Sequence, residues 1–101
     1  MSVLVTLKVK GDTDRFRRFL ESDPDRFAEI APEARAAGCV HHRFGVGDGF
    51  ILVVDEWDSA EAFQRFFQTN EKIPAIMRDA GASQEEPEVS FTDAIDSPDQ
   101  F

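Results

Sequence analysis

Val3, Val5, Leu7 and Val9 alternate with Leu4, Thr6 and Lys8. This period of two predicts a strand with one greasier face, ended at Gly11-Asp12. From Asp12 the period lengthens, and Phe16, Phe19 and Leu20 fall on one stripe of a helix. The stripe breaks at Asp23-Pro24 and resumes with Phe27, Ile30, Ala31 and Ala34. Pro24 suits the first turn of a renewed helix with Asp23 as its cap, Pro32 predicts a further kink or restart, and Gly38 suits a helix end.

Cys39 to Val46 and Phe50 to Trp57 are two β-rich runs joined at Gly47-Asp48-Gly49, where tight turns matching strand twist call for positive φ. Asp58 is expected to cap the next helix, with Glu61 three residues on as in a capping box. Phe63, Phe66, Phe67, Ile73, Ile76, Met77 and Ala80 give that helix an apolar stripe, interrupted at Pro74 and closed at Gly81. After the polar stretch ASQEEP, Val89, Phe91 and Ile95 read as a last strand.

The order strand, helix, strand, strand, helix, strand is that of a ferredoxin-like α+β domain, βαββαβ. It places two helices, each open to kinking at its prolines, on one face of a four-stranded antiparallel sheet. The domain is expected to span residues 1–96, leaving a short tail at 97–101 in which Phe101 could dock on a neighbour. The sheet's other face would ordinarily be polar. Here FILVV in the third strand is apolar at consecutive positions and so on both faces, and Leu4 adds to the second face. Such a face needs a cover, and packing back to back in a homodimer supplies one with two-fold symmetry.

Composition narrows the partners. A chain of 101 residues supports one core. Its 20 acidic against 11 basic residues give a formal net charge of -9, which disfavours nucleic acid and anionic membrane surfaces. Cys39 is the only cysteine, so no internal disulfide forms and no cysteine cluster is available for zinc. It is expected to pack as a small hydrophobe. No apolar run approaches the about eighteen residues of a membrane span, and MSVLVTLKVK has no basic region ahead of an apolar stretch. A cytoplasmic location is expected. Phosphate-cradling glycine loops, G-x-S-x-G, C-x-x-C and metalloprotease-type histidine spacings are all lacking. Adjacent His41 and His42 point to opposite faces of a strand, so no shared metal is expected.

The stretch VVDEWDSAEAFQRF, Val53 to Phe66, resembles the dimeric α/β-barrel superfamily, and within it the antibiotic-biosynthesis-monooxygenase-like group. Members often carry an acidic residue, any residue and Trp at the end of strand three, matched by Asp55, Glu56 and Trp57. An Ala and an apolar residue early in the next helix are matched by Ala62 and Phe63. Where members often have a histidine one turn on, this chain has Phe66, a departure that removes the group's usual basis for haem ligation or for proton transfer at that position. The resemblance implies a ferredoxin-like dimeric barrel with a cleft between sheet and helices. It extends to cofactor-free oxygenases of aromatic polyketides, haem-degrading enzymes and isomerases, so it does not name one reaction.

Within the hairpin, register decides which side chains meet. A two-residue Asp48-Gly49 turn pairs Gly47 with Phe50, His42 with Asp55 and His41 with Glu56. A three-residue loop instead pairs His41 with Asp55 and His42 with Val54. The first gives each histidine a carboxylate and is favoured, with about 0.2 to 1 kcal/mol per cross-strand pair. It puts Val40, His42, Phe44, Ile51, Val53, Asp55 and Trp57 on one face, and His41, Arg43 and Glu56 with Leu52 and Val54 on the other. The second group could line a dimer interface or form a solvated rim. The resemblance sets the acid-and-Trp end of strand three against the cleft.

His42, oriented by Asp55, is thus a candidate general base or ligand contact; alternatively, the two could be a satisfied polar pair within a sheet. Trp57 is a candidate ligand platform or a core residue, with Phe63, Phe66 and Phe44 as an apolar wall. Asn70, on the helix stripe, could donate to a substrate carbonyl or mark a helix end near a proline. Abundant Phe without Tyr suits a hydrophobic, aromatic ligand. The leading expectation is a homodimer binding such a molecule, with monooxygenase-like chemistry and no bound cofactor. A non-catalytic binding or assembly module is second, and a haem-binding or haem-degrading protein third.

Overall fold

The computed structural model describes residues 1–101. Its elements run β1 (Val3–Lys10), α1 (Thr13–Ser22), α2 (Pro24–Ala28), α3 (Ile30–Ala37), β2 (Cys39–Val46), β3 (Phe50–Trp57), α4 (Ala60–Thr69), α5 (Lys72–Asp79) and β4 (Glu88–Asp93). The sheet is antiparallel in the order β2-β3-β1-β4, the ferredoxin-like arrangement, with the two connections β1 to β2 and β3 to β4 carrying all the helices. No helix is long and apolar enough to cross a membrane.

Alternation in the sequence becomes alternation in burial. Val5, Leu7 and Val9 of β1 and Ile51, Val53, Asp55 and Trp57 of β3 are buried beneath the helices. Phe16 of α1 is fully buried among Leu7, Val9, Ile51 and Val53, and burying a side chain of that size contributes about 1.5–3 kcal/mol. A second cluster joins Val5, Trp57 and Phe63. On the opposite sheet face Leu4 and Val54 stay 43% and 40% exposed, so the chain alone does not cover them.

Helix ends follow local chemistry and correct several expectations. The Asp12 side chain caps α1 by accepting from the Arg15 amide. Asp23 sits at the start of α2 with Pro24 in its first turn, yet its side chain makes no capping bond. The cap of α4 is Ser59 rather than Asp58: its hydroxyl accepts from the Ala62 amide at 3.1 Å, leaving Glu61 one position short of a capping box. The second helical run breaks at Asn70, not at Pro74. Pro74 lies in the first turn of α5, where its missing N–H has no helical partner to lose.

Gly38 ends α3 at φ 117, a conformation that strains any side chain, and its carbonyl accepts from the Asp58 amide at 2.9 Å. At the other end of the sheet Ala82, in the polar ASQEEP stretch, is buried and bridges to Gly11. Ile95 lies beyond β4 and is 78% exposed, so the last strand carries Val89 and Phe91 but not Ile95.

Candidate functional site

The β2–β3 hairpin takes the two-residue register: His42 pairs with Asp55, His41 with Glu56, and the Gly47 amide donates to the Phe50 carbonyl at 2.9 Å. Only Gly49 in the turn has positive φ, at 77. One irregularity alters the expected face. A bulge between Cys39 and His41 puts Cys39, not Val40, opposite Trp57; Val40 is left 60% exposed while Cys39 packs against the Trp57 cluster.

Above this face lies a cavity of about 690 Å³ between sheet and helices, walled mainly by apolar side chains. His42, Phe44, Asp55, Trp57, Phe63 and Phe66 all line it. Asn70 does not. Its carboxamide oxygen accepts from the Lys72 amide at 3.0 Å, so the side chain closes the turn between α4 and α5 instead of reaching a ligand.

Asp55 is the buried polar residue at the centre, 6% exposed. A buried carboxylate needs donors to offset its lost hydration. It has two: His42 Nδ1 lies 2.6 Å from Oδ1, and the Trp57 indole N–H donates to Oδ2 at 3.0 Å. A carboxylate only accepts, so Nδ1 carries the hydrogen in this pair, and in the neutral ring Nε2 keeps its lone pair. The ring is further fixed edge-on to Phe44, centroids 4.7 Å apart. The His42 side chain is 46% exposed, so a ligand or solvent can reach it while its partner stays dry. Trp57 is held edge-on by Phe63 at 5.6 Å and tilted against Phe66 at 5.4 Å. It is both core and cavity wall.

Two further residues join this end, Cys39, expected to pack as a small hydrophobe, and Arg35, not singled out from the sequence. Cys39 lines the cavity, and burial, with the Asp55 charge second, pushes its thiol up to about 11. It is therefore a protonated, unreactive sulfhydryl at neutral pH. Arg35 of α3 also lines the wall. A signal for it existed, since Phe27, Ala31 and Arg35 follow one another at helical spacing of four, but only the apolar members of that row attract notice in a pattern search. No group of three or more His, Cys, Asp or Glu side chains is assembled that could hold a metal ion.

No protein-family model matches the sequence, and no curated protein matches it. Solved structures do. SnoaB, a cofactor-independent oxygenase from Streptomyces nogalater, superposes with a TM-score of 0.63 at 17% identity over 98% of both chains. An antibiotic biosynthesis monooxygenase matches with a TM-score of 0.61 at 17% identity, covering 93% of this chain and 99% of the other. The chain has the ferredoxin-like fold that these structures share. A dimeric ferredoxin-like protein from an uncultured marine organism shares that fold at a TM-score of 0.61 and 17% identity, over 95% of this chain and 93% of that one. Identities this low make the likeness one of fold.

Proposed function

We propose that this protein is a homodimer, joined through the Leu4, Leu52 and Val54 sheet face, that binds a weakly acidic aromatic molecule in its cavity and removes a proton from it with His42. The observation that carries this reading is the chain Trp57–Asp55–His42, two donors on a buried carboxylate, ending at a half-exposed imidazole on an apolar wall. Asp55 fixes the tautomer that leaves Nε2 as a base and then stabilises the imidazolium formed when the proton arrives. The proton moves from a ligand C–H or O–H to Nε2, and the electron pair stays on the ligand. With dioxygen as co-substrate, that anion is the species to be oxidised: one oxygen atom enters the ligand and the other leaves as water. The shared fold with a protein described as a cofactor-independent oxygenase supports this direction.

A non-catalytic assembly module fits less well, because a role in dimerisation alone gives no reason to keep about 690 Å³ open. Haem binding is disfavoured by Phe66, which packs on Trp57 and offers no ligating atom.

Anthrone, a tricyclic carbon acid, is a suitable probe. The wild-type protein is expected to convert it to anthraquinone with uptake of dioxygen, and His42→Ala to lose about 10²-fold or more of that rate while native mass spectrometry still shows a dimer. Undiminished turnover in His42→Ala would remove His42 from the mechanism.

A further inference from the structure

The cavity wall carries an unbalanced charge. Its two carboxylates are both engaged: Asp55 by His42 and Trp57, and Glu85 by Lys10 at 3.6 Å. Its one permanently charged cation, Arg35, forms no ion pair. In a chain with 20 acidic and 11 basic residues, an exposed arginine on the wall of an apolar cavity, without a carboxylate partner, is a local reversal of the overall field. Arg35 stands near Cys39, where its charge opposes the upward pull on the thiol. Cys39 in turn sits opposite Trp57 in the hairpin, which places Arg35 at the same end of the cavity as the His42–Asp55 pair.

We infer that the ligand is an aromatic acid, its ring system in the apolar cavity and its carboxylate on Arg35. This rests on the proposed binding of an aromatic molecule and adds the group that orients it. An arginine presents a planar fork that takes a carboxylate in two parallel hydrogen bonds, so it would fix the ring's rotation as well as its depth. With the acid group anchored there, the adjoining part of the ring system lies beside Trp57 and His42, where proton removal takes place. The protein's excess of negative charge slows the approach of such a ligand from afar, which makes a local counter-charge the more necessary.

The test compares anthracene-9-carboxylate with its neutral counterpart anthracene-9-methanol by titration calorimetry on the intact protein. The carboxylate is expected to bind about tenfold more tightly, the effect of one charge-assisted contact at a site solvent can reach. Arg35→Gln should erase that preference while the affinity for the methanol stays unchanged, Arg35→Lys should retain part of it, and added salt should weaken the carboxylate alone. Equal binding of both probes, or a preference that survives Arg35→Gln, would overturn the assignment to Arg35 and leave the aromatic cavity standing. Binding of neither probe would overturn both.

Discussion

Asp55 is asked to do two things at once, to satisfy the buried Trp57 indole and to hold His42 in one tautomer, and two substitutions separate them. In Asp55→Ala the indole N–H, in a residue only 2% exposed, loses its acceptor, which costs about 1–3 kcal/mol. The space vacated by the carboxyl group adds to this. For a domain near 100 residues each kcal/mol lowers Tm by about 4–8 °C, so a fall of roughly 10–20 °C is expected. In Asp55→Asn the shape is kept and the amide oxygen still accepts from Trp57. The two bonds weaken by about 1 kcal/mol each on losing the charge, and relief from burying a carboxylate offsets much of that. Tm should therefore stay within a few degrees of wild type.

The tautomer should not survive the same change. With its oxygen on Trp57, the carboxamide of the Asp55→Asn variant presents its NH₂ group to His42, and Nδ1 must become the acceptor, which moves the hydrogen to Nε2 and abolishes the base. Imidazole ¹⁵N shifts by NMR distinguish the two states directly. Wild-type protein should show Nδ1–H and Asp55→Asn should show Nε2–H, with turnover of anthrone lost although the fold is intact. A Tm for Asp55→Ala equal to wild type would refute the claim that Asp55 supports Trp57. An unchanged His42 tautomer in Asp55→Asn would refute the claim that Asp55 sets it.

Other consequences are testable separately. Gly38→Ala forces a methyl group into φ 117 and toward Asp58 Oδ2 at 3.2 Å, so a loss of about 1–2 kcal/mol is expected in denaturant titrations; no loss would mean that the α3–β2 junction relaxes freely. Val54→Lys on the uncovered sheet face should yield a folded monomer by light scattering, and a persistent dimer would move the interface elsewhere. Cys39, with its thiol raised from 9.0 to about 11, should hold roughly a hundredfold less thiolate at pH 8 than an ordinary cysteine and alkylate correspondingly slowly. Because the unfolded chain releases that proton near 9.0 and the folded one near 11, stability should decline as pH rises through this window, and a flat profile there would contradict the buried thiol.

Legibility in the sequence tracked how local the deciding physics was. The bounds of β2 and β3 and their register were readable because one Gly-Asp-Gly turn and one period of two determine them. The His42–Asp55 contact followed from that register. The Val40 bulge was not readable, since neither glycine nor proline marks it, and packing of Cys39 against Trp57 decides it. Ser59 and Asp58 are adjacent and both competent caps, so the choice depends on where the chain leaves β3. Asn70 and Pro74 both punctuate one apolar stripe, and the break went to the residue whose side chain can close a turn. For Arg35 the spacing from Phe27 and Ala31 was visible but not decisive, because which helical row overhangs the cavity depends on how three short helices pack on the sheet.

The sheet's two faces are linked through β3. Its even and odd positions are both apolar, yet only Ile51, Val53, Asp55 and Trp57 meet the helices; Leu52 and Val54 look the other way. A strand apolar on both sides is economical only when both sides are covered. Asp55 stands directly between Val54 and Glu56, so whatever packs on those two restrains the backbone that aims its carboxylate at His42. In the proposed dimer that restraint comes from the partner's sheet, and the pre-organisation of the base depends on assembly. The monomeric Val54→Lys variant is thus expected to lose turnover as well as its partner, through a residue that touches neither cavity nor ligand.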